Sequence, residues 1–292
     1  MAGIANRVYL NGEFVDAAQA CLPITDRGLL FGDAVYEVVP AYGGHLFRPR
    51  QHLERLDRSL AEIRMANPLS HDAWLEVLQH LTEQLGHVDQ HLYLQVTRGA
   101  YPVRSHAIPE PARPNLFAFT YTAPEPDPQM ARDGIAAITL DDIRWQRCDI
   151  KATTLLANVL AHSRARDEQA EEAILVRDGQ AMEGTASNLF IVSNGLLITP
   201  PKSDRLLPGV TRDLVLELAR EHGLPYAEAA IGLPELEIAD EVWLTSSTRE
   251  IMPVTRLNGR PVGDGAPGPA WHRINTLFAA CKVQLRSAGA CR

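Results

Sequence analysis

Four of the six Asn-Gly or Asp-Gly pairs, Asn11-Gly12, Asp178-Gly179, Asn194-Gly195 and Asn258-Gly259, each lie between runs of aliphatic and β-branched residues. Both members of such a pair accept positive φ at little cost, so the chain can reverse in two residues with a twist that suits antiparallel strands. These reversals constrain the fold more than any other feature, because much of the sheet must then be hairpin. Residues 7–15 read as one hairpin, 173–182 and 189–199 as two more, and the last turn falls between Val254 and Val262. Further strands are expected at 34–42, 92–98, 116–121 and 135–143. Helices are expected at 51–65, where Leu53, Leu56, Leu60 and Ile63 recur at helical spacing, at 72–85 and at 155–166. Strand and helix do not alternate strictly, which argues against a doubly wound parallel sheet and for α+β architecture.

Prolines suggest where the chain divides. Pro109, Pro111 and Pro114 suit a loop, whereas Pro124, Pro126 and Pro128 suit a stiff extended linker. A chain of 292 residues is also long for one core. The expectation is a smaller N-terminal α+β domain at residues 1–123, a linker at 124–128, and a larger β-rich α/β domain at 129–292 that would bind a cofactor.

Net charge is −8 and no arginine- or lysine-rich block occurs, so nucleic acid and anionic membrane are disfavoured as partners. No apolar run approaches the roughly 20 residues that span a bilayer, and residues 1–10 lack the order of a signal peptide. Cys21, Cys148, Cys281 and Cys291 are scattered and read as reduced thiols of a cytoplasmic protein. The histidines are equally scattered, which gives a zinc site little support.

Lys151, Lys202 and Lys282 are the lysines among 28 basic residues; the rest are arginines. An amine can lose its proton and attack a carbonyl, which a guanidinium cannot do. Lys151 follows a polar stretch, Arg147-Cys148-Asp149, and precedes the apolar run Leu155, Leu156, Val159 and Leu160. Burial at such a junction would lower its pKa and make it a Schiff-base nucleophile. A lysine kept by chance on a surface turn is the plainer alternative.

The common protein-bound aldehyde is pyridoxal phosphate, which needs an amine, a charge partner for its ring nitrogen and a cradle for its phosphate. Glu183 lies between two strands and could face the ring nitrogen, or be a solvated turn residue. Leu207-Pro208-Gly209-Val210-Thr211-Arg212 leads into a helix expected at 213–221, whose start could bind an anion. A hydroxyl cluster, Thr245-Ser246-Ser247-Thr248, follows a strand. His52, Arg55 and Ser59 share a polar helix face, which is usually solvated, although Arg55 could clamp a phosphate.

Motifs in fixed order make the pattern specific. Asp26-Arg27-Gly28, then 31–37 and 52–56, resemble the N-terminal half of fold-type IV pyridoxal-phosphate aminotransferases. Residues 142–151, Asp-Ile-Arg-Trp-Gln-Arg-Cys-Asp-Ile-Lys, resemble the lysine segment of D-amino acid aminotransferases. Residues 183–188, 209–212, 239–241 and 245–248 match in order and spacing. The resemblance covers about Tyr9 to Gly268. It implies that Lys151 is the Schiff-base lysine and proton shuttle, and that Glu183 pairs with the ring nitrogen. Arg55, Val210, Thr211, Ser246 and Ser247 would hold the phosphate, with Leu207 packed beside the ring. Tyr36, Arg104 and His106 would trap the substrate carboxylate, the last two reaching in from a partner chain of a homodimer. The implied reaction moves the amino group of D-amino acids, such as D-alanine, to a 2-oxo acid such as 2-oxoglutarate. A branched-chain L-aminotransferase, an aminodeoxychorismate lyase and a non-enzymatic phosphate-binding module are the alternatives.

Overall fold

The computed structural model describes residues 3–125 and 127–290, with side chains to residue 287. Met1, Pro126 and Cys291, which entered the readings above, lie outside the described residues. Contacts group the chain into two compact units, one holding the chain up to Pro124, Ile150–Thr154 and Lys282 onward, the other Glu125–Asp149 and Leu155–Cys281. Residues 150–154, which a single cut at the proline-rich stretch assigns to the later domain, therefore pack with the earlier one.

The first unit is built on a six-stranded antiparallel sheet. Its elements are β1 (Arg7–Leu10), β2 (Glu13–Asp16), α1 (Arg27–Phe31), β3 (Ala34–Tyr42), β4 (His45–Leu46), α2 (Pro49–Glu62), α3 (His71–Glu83), β5 (Gln90–Thr97) and β6 (Asn115–Thr122). The strand order is β2-β1-β6-β5-β3-β4. Asn11 and Gly12 take φ of 50° and 103°, as a two-residue turn between β1 and β2 requires. Helix α2 begins at Pro49, where the missing N–H costs nothing. Its Leu53, Leu56 and Leu60 pack with Val35, Val39, Leu92 and Leu94 of the sheet and with Trp74 and Leu78 of α3. Ser70 caps α3 by accepting the Ala73 N–H at 3.2 Å. The polar face of α2 is not solvated as polar helix faces usually are, since His52, Arg55 and Ser59 are all buried.

The second unit carries α4 (Pro128–Asp133), β7 (Ile135–Asp141), α5 (Leu156–Asp167), β8 (Glu172–Arg177), β9 (Gln180–Gly184), β10 (Asn188–Ser193) and β11 (Leu196–Thr199). It continues with α6 (Val210–Glu221), β12 (Tyr226–Glu228), β13 (Ile231–Gly232), α7 (Leu233–Glu237), β14 (Glu241–Ser246), β15 (Glu250–Leu257), β16 (Arg260–Pro261) and α8 (Pro269–Ala290), which runs on into the first unit. The sheet order is β12-β11-β10-β14-β15-β7-β8-β9-β13, and an added pairing of β9 with β10, at Glu183 and Asn188, closes six of these strands on themselves. Most pairs are antiparallel, but β7 runs parallel to both β8 and β15, so the sheet is mixed. The pairs Asp178-Gly179, Asn194-Gly195 and Asn258-Gly259 all have positive φ at both residues and close the hairpins read from the sequence. Strands β10 and β14 are buried along nearly their whole length, and Leu189, Ile191, Val242 and Leu244 form the core with Ile174 and Val254.

One expectation is corrected here, and one boundary is refined. Asp127 is extended and accepts the Gln129 N–H at 2.9 Å, and Pro128, the last residue of the expected linker, already opens α4. The run Leu155, Leu156, Val159 and Leu160 is not a dry flank for Lys151; those side chains are exposed in this chain, and Lys151 itself is half-buried. Among the described residues, no helix is long and apolar enough to cross a membrane.

Candidate active site

Strand β3 positions the lysine. Successive strand residues face opposite ways, so Tyr36 and Glu37 serve different surroundings. Residues 150–153 run beside the start of β3: Tyr36 N–H donates to the Lys151 carbonyl at 3.0 Å, Thr153 N–H to Ala34 at 3.1 Å, and Val35 bridges Ala152. Lys151 N–H donates to Ser59 Oγ of α2 at 3.2 Å. Its backbone is thus fixed from two elements while its side chain is left to reach. Lys151 Nζ lies 4.2 Å from the centroid of the Tyr36 ring, a cation–π distance, and among the described residues it has no ion-pair partner. Tyr36 in turn stacks on Tyr93 at 5.5 Å.

Behind this pair lies a buried charge cluster. Glu37 is fully buried and accepts from Arg55 Nε at 2.7 Å, Arg55 Nη2 at 2.8 Å and His52 Nδ1 at 2.8 Å. Burial alone would raise the Glu37 carboxyl, but the Arg55 guanidinium and the His52 hydrogen bond outweigh it and hold the group well below the usual carboxylate range. Burial pushes His52 down, against the pull of Glu37, so a neutral ring donates through Nδ1–H. The Arg55 fork is therefore spent at least partly on Glu37, a partner that the sequence reading did not identify.

Arg104 and His106 lie on the exposed stretch after β5. Each packs on Phe31 of α1: the Arg104 guanidinium carbon is 4.9 Å from the ring centroid, and the His106 ring is 5.2 Å away. The structure thus brings those two residues together.

In the second unit, Glu183 is the penultimate residue of β9, buried, and takes a contact on each oxygen. Arg144 Nη1 donates to Oε1, while Asn188 Nδ2 and Leu207 N–H donate to Oε2, both at 3.1 Å. Burial raises the Glu183 pKa, with Arg144 opposing, and the net shift is upward. Arg144 is itself aimed by Asp142, whose oxygens accept its Nε at 2.8 Å and Nη2 at 2.9 Å. The sequence reading missed Arg144 as a partner of Glu183, although Asp142-x-Arg144 stood in the motif leading to the lysine.

Asn188 also donates to the Leu207 carbonyl at 2.7 Å. A Cβ at Gly209 would stand 1.8 Å from Asn188 Oδ1, so only glycine lets α6 begin this close to β10. Val210 and Thr211 are buried in the first turn of α6, whose cap supplies no side-chain hydrogen bond. Free amides at a helix start favour an anion. Ser246 Oγ closes its own turn by accepting the Arg249 N–H at 3.1 Å, and Ser247 is half-buried beside it. Next to them, buried Thr245 Oγ1 has no hydrogen-bond partner among the described residues. An orphaned hydroxyl and an uncapped helix start are each left short of a partner that a phosphate would supply, and the Glu183 carboxyl, raised by burial against its donors, would be further stabilised by a cationic ring. The residues present fit pyridoxal phosphate.

Comparison with known proteins agrees. The family model of class IV amino-transferases matches residues 34–257. A D-alanine aminotransferase of Bacillus licheniformis is 41% identical over 272 residues, covering 93% of this chain and 95% of that protein. One from Listeria monocytogenes serotype 1/2a is 39% identical over 274 residues, covering 93% and 94%. Among solved structures, the branched-chain amino acid aminotransferase from Escherichia coli superposes with a TM-score of 0.85 at 28% identity, covering 94% of this chain and 93% of that one. The chain belongs to the class IV aminotransferases.

Proposed function

We propose that this aminotransferase is a pyridoxal-phosphate enzyme that moves the amino group of D-amino acids, such as D-alanine, to a 2-oxo acid such as 2-oxoglutarate. The observation that carries the reading is the pairing of Arg104 with His106 on one aromatic face, in a chain whose relatives at about 40% identity are D-alanine aminotransferases. An arginine fork with a second donor suits a carboxylate. Tyr36 is the third member of this trap, next to the lysine.

When bound, the cofactor supplies an electron sink that makes the substrate's α-proton acidic. Lys151 Nζ is the amine for its aldehyde and, once released, the group that takes and returns that proton. Glu183 would pair with the ring nitrogen, and a cation there would relieve the desolvation that raises this carboxyl. Val210, Thr211, Ser246, Ser247 and Arg55 would hold the phosphate, and Leu207 would pack beside the ring. Arg144 keeps Glu183 oriented and opposes the rise of its pKa, and the Glu37–His52 pair keeps Arg55 in place. Homodimerisation would cover the exposed Leu156, Val159 and Leu160 of α5 and complete the site. The free thiols Cys21 and Cys148 suit a reducing cytoplasm.

The solved neighbour is a branched-chain enzyme, so the test sets the two substrate classes side by side. Purified protein loaded with pyridoxal phosphate should turn over D-alanine with 2-oxoglutarate and leave L-leucine untouched. Turnover of L-leucine alone would replace the reading by a branched-chain L-aminotransferase. Release of pyruvate from a single substrate without an acceptor would mark a lyase.

A further inference from the structure

Arg104 and His106 are exposed and, among the described residues, have no hydrogen bond or ion pair from their side chains. Something else must hold them in a usable arrangement. Arg27 Nη1 donates to the carbonyl of Ser105, the residue between them, at 2.5 Å. Arg27 is buried, and its other contacts fix its direction: Asp33 Oδ2 accepts Arg27 Nε at 2.8 Å and Arg98 Nε at 2.8 Å. The guanidinium carbon of Arg27 also lies 4.9 Å from the centroid of Phe31, the ring that meets Arg104 and His106.

The helix that carries Arg27 and Phe31 is fixed at its own base. Buried Asp26 accepts from Gly28 N–H at 2.7 Å, Thr97 Oγ1 at 2.8 Å and Asn115 Nδ2 at 2.7 Å, tying α1 to the end of β5 and the start of β6. A Cβ at Gly28 would come within 2.7 Å of Thr97 Cγ2, so α1 lies hard against β5. The loop is pinned at its start, where Arg27 N–H donates to Gly99 at 2.9 Å, and farther along, where the Tyr101 hydroxyl accepts the Arg113 N–H at 2.9 Å.

We propose that Arg27 and Phe31 are positioning residues of the substrate-carboxylate trap: Arg27 sets the backbone between Arg104 and His106, and the Phe31 ring is the platform on which both side chains are aligned. The proposal deepens the function proposed above and rests on it, since it takes Arg104 and His106 to bind the carboxylate. Neither residue touches substrate. They act through the loop, so their loss weakens capture of the amino acid and spares the chemical step.

The test uses the loaded holoenzyme with D-alanine and 2-oxoglutarate. Arg27→Lys keeps a charge beside Asp33 but cannot present the same fork to Ser105, and Phe31→Leu keeps apolar volume without a π-face. Each should raise KM for D-alanine about tenfold, the effect of losing a charged hydrogen bond or a cation platform, while kcat stays within about twofold and the cofactor absorbance is retained. In an Arg104→Ala background, Phe31→Leu should add less than about twofold, because the side chain it aligns is gone. Unchanged KM in both single variants, or an equal effect of Phe31→Leu with and without Arg104, overturns the proposal. If Arg27→Lys fails to fold, Phe31→Leu decides alone. An Arg104→Ala enzyme with unchanged KM instead overturns the carboxylate reading of Arg104, and the proposal falls with it.

Discussion

Glu37→Gln is the most informative single change in the first unit. Glu37 is fully buried and accepts three hydrogen bonds, two from Arg55 and one from His52. The amide has nearly the same shape but one oxygen in place of two, so its NH₂ must face a donor from Arg55 or His52. An exposed ion pair would lose about 0–1 kcal/mol. Here the Arg55 side chain is only 4% exposed, and removing one partner of a buried pair costs about 3–5 kcal/mol. At roughly 2–4 °C per kcal/mol, thermal unfolding followed by circular dichroism near pH 8 should show a midpoint lowered by about 6–20 °C. Glu37→Gln with Arg55→Met should recover part of that loss, since no uncompensated buried cation remains. Because Glu37 titrates below its ordinary value of 4.5 in the fold, its contribution is full above that pH and drains as pH falls further, so the two proteins should converge in acid. A loss under about 1 kcal/mol, or strictly additive single losses, would refute the argument that this cluster is one coupled unit.

Lys151→Ala should abolish transamination and the absorbance change on borohydride treatment, without lowering the unfolding midpoint by more than about 2 °C, because Nζ has no ion pair to lose among the described residues. Gly209→Ala should weaken phosphate-dependent cofactor retention at least tenfold in a dialysis assay, because a Cβ there would stand 1.8 Å from Asn188 Oδ1 and displace the start of α6. His52 is held below its ordinary value of 6.5, so below that pH the unfolded chain binds the proton first and stability must rise with pH across the window. A denaturant titration series should show that slope in the wild type and a shallower one in His52→Gln. Arg144→Met should raise the Glu183 pKa further and lower kcat more than it raises KM, which steady-state kinetics over pH would reveal.

Local signals read well from the sequence and nonlocal ones did not. The Asn-Gly and Asp-Gly turns flanked by apolar runs are largely self-contained, since two residues with positive φ suit a tight hairpin, and the four read from the sequence all formed. Strand β3 was placed at its observed bounds by its own apolar run. Helices α1 and α7, five residues each, escaped because their ends rest on caps and on contacts made elsewhere in the chain, such as Asp26 with Thr97 and Asn115. Helix α8 was missed although Trp271, Ile274 and Phe278 repeat at helical spacing and are buried. At the site, the lysine and the acid stood out by type and motif. Their partners did not, because Glu37 meets Arg55 across 18 positions and Arg144 meets Glu183 across 39. The polar face of α2 looked like a solvated surface for the same reason: the carboxylate that neutralises it lies on another element.

One asparagine has a wider reach than its size suggests. Asn188 touches the acid at the end of β9 and the carbonyl of Leu207, and it fills the space that any side chain at Gly209 would need. Three features proposed to meet different parts of the cofactor are thereby gauged by a single amide. Mutational scanning of this protein should accordingly find losses at Glu183, Leu207 and Gly209 that travel together, and few suppressors that repair one without disturbing the others.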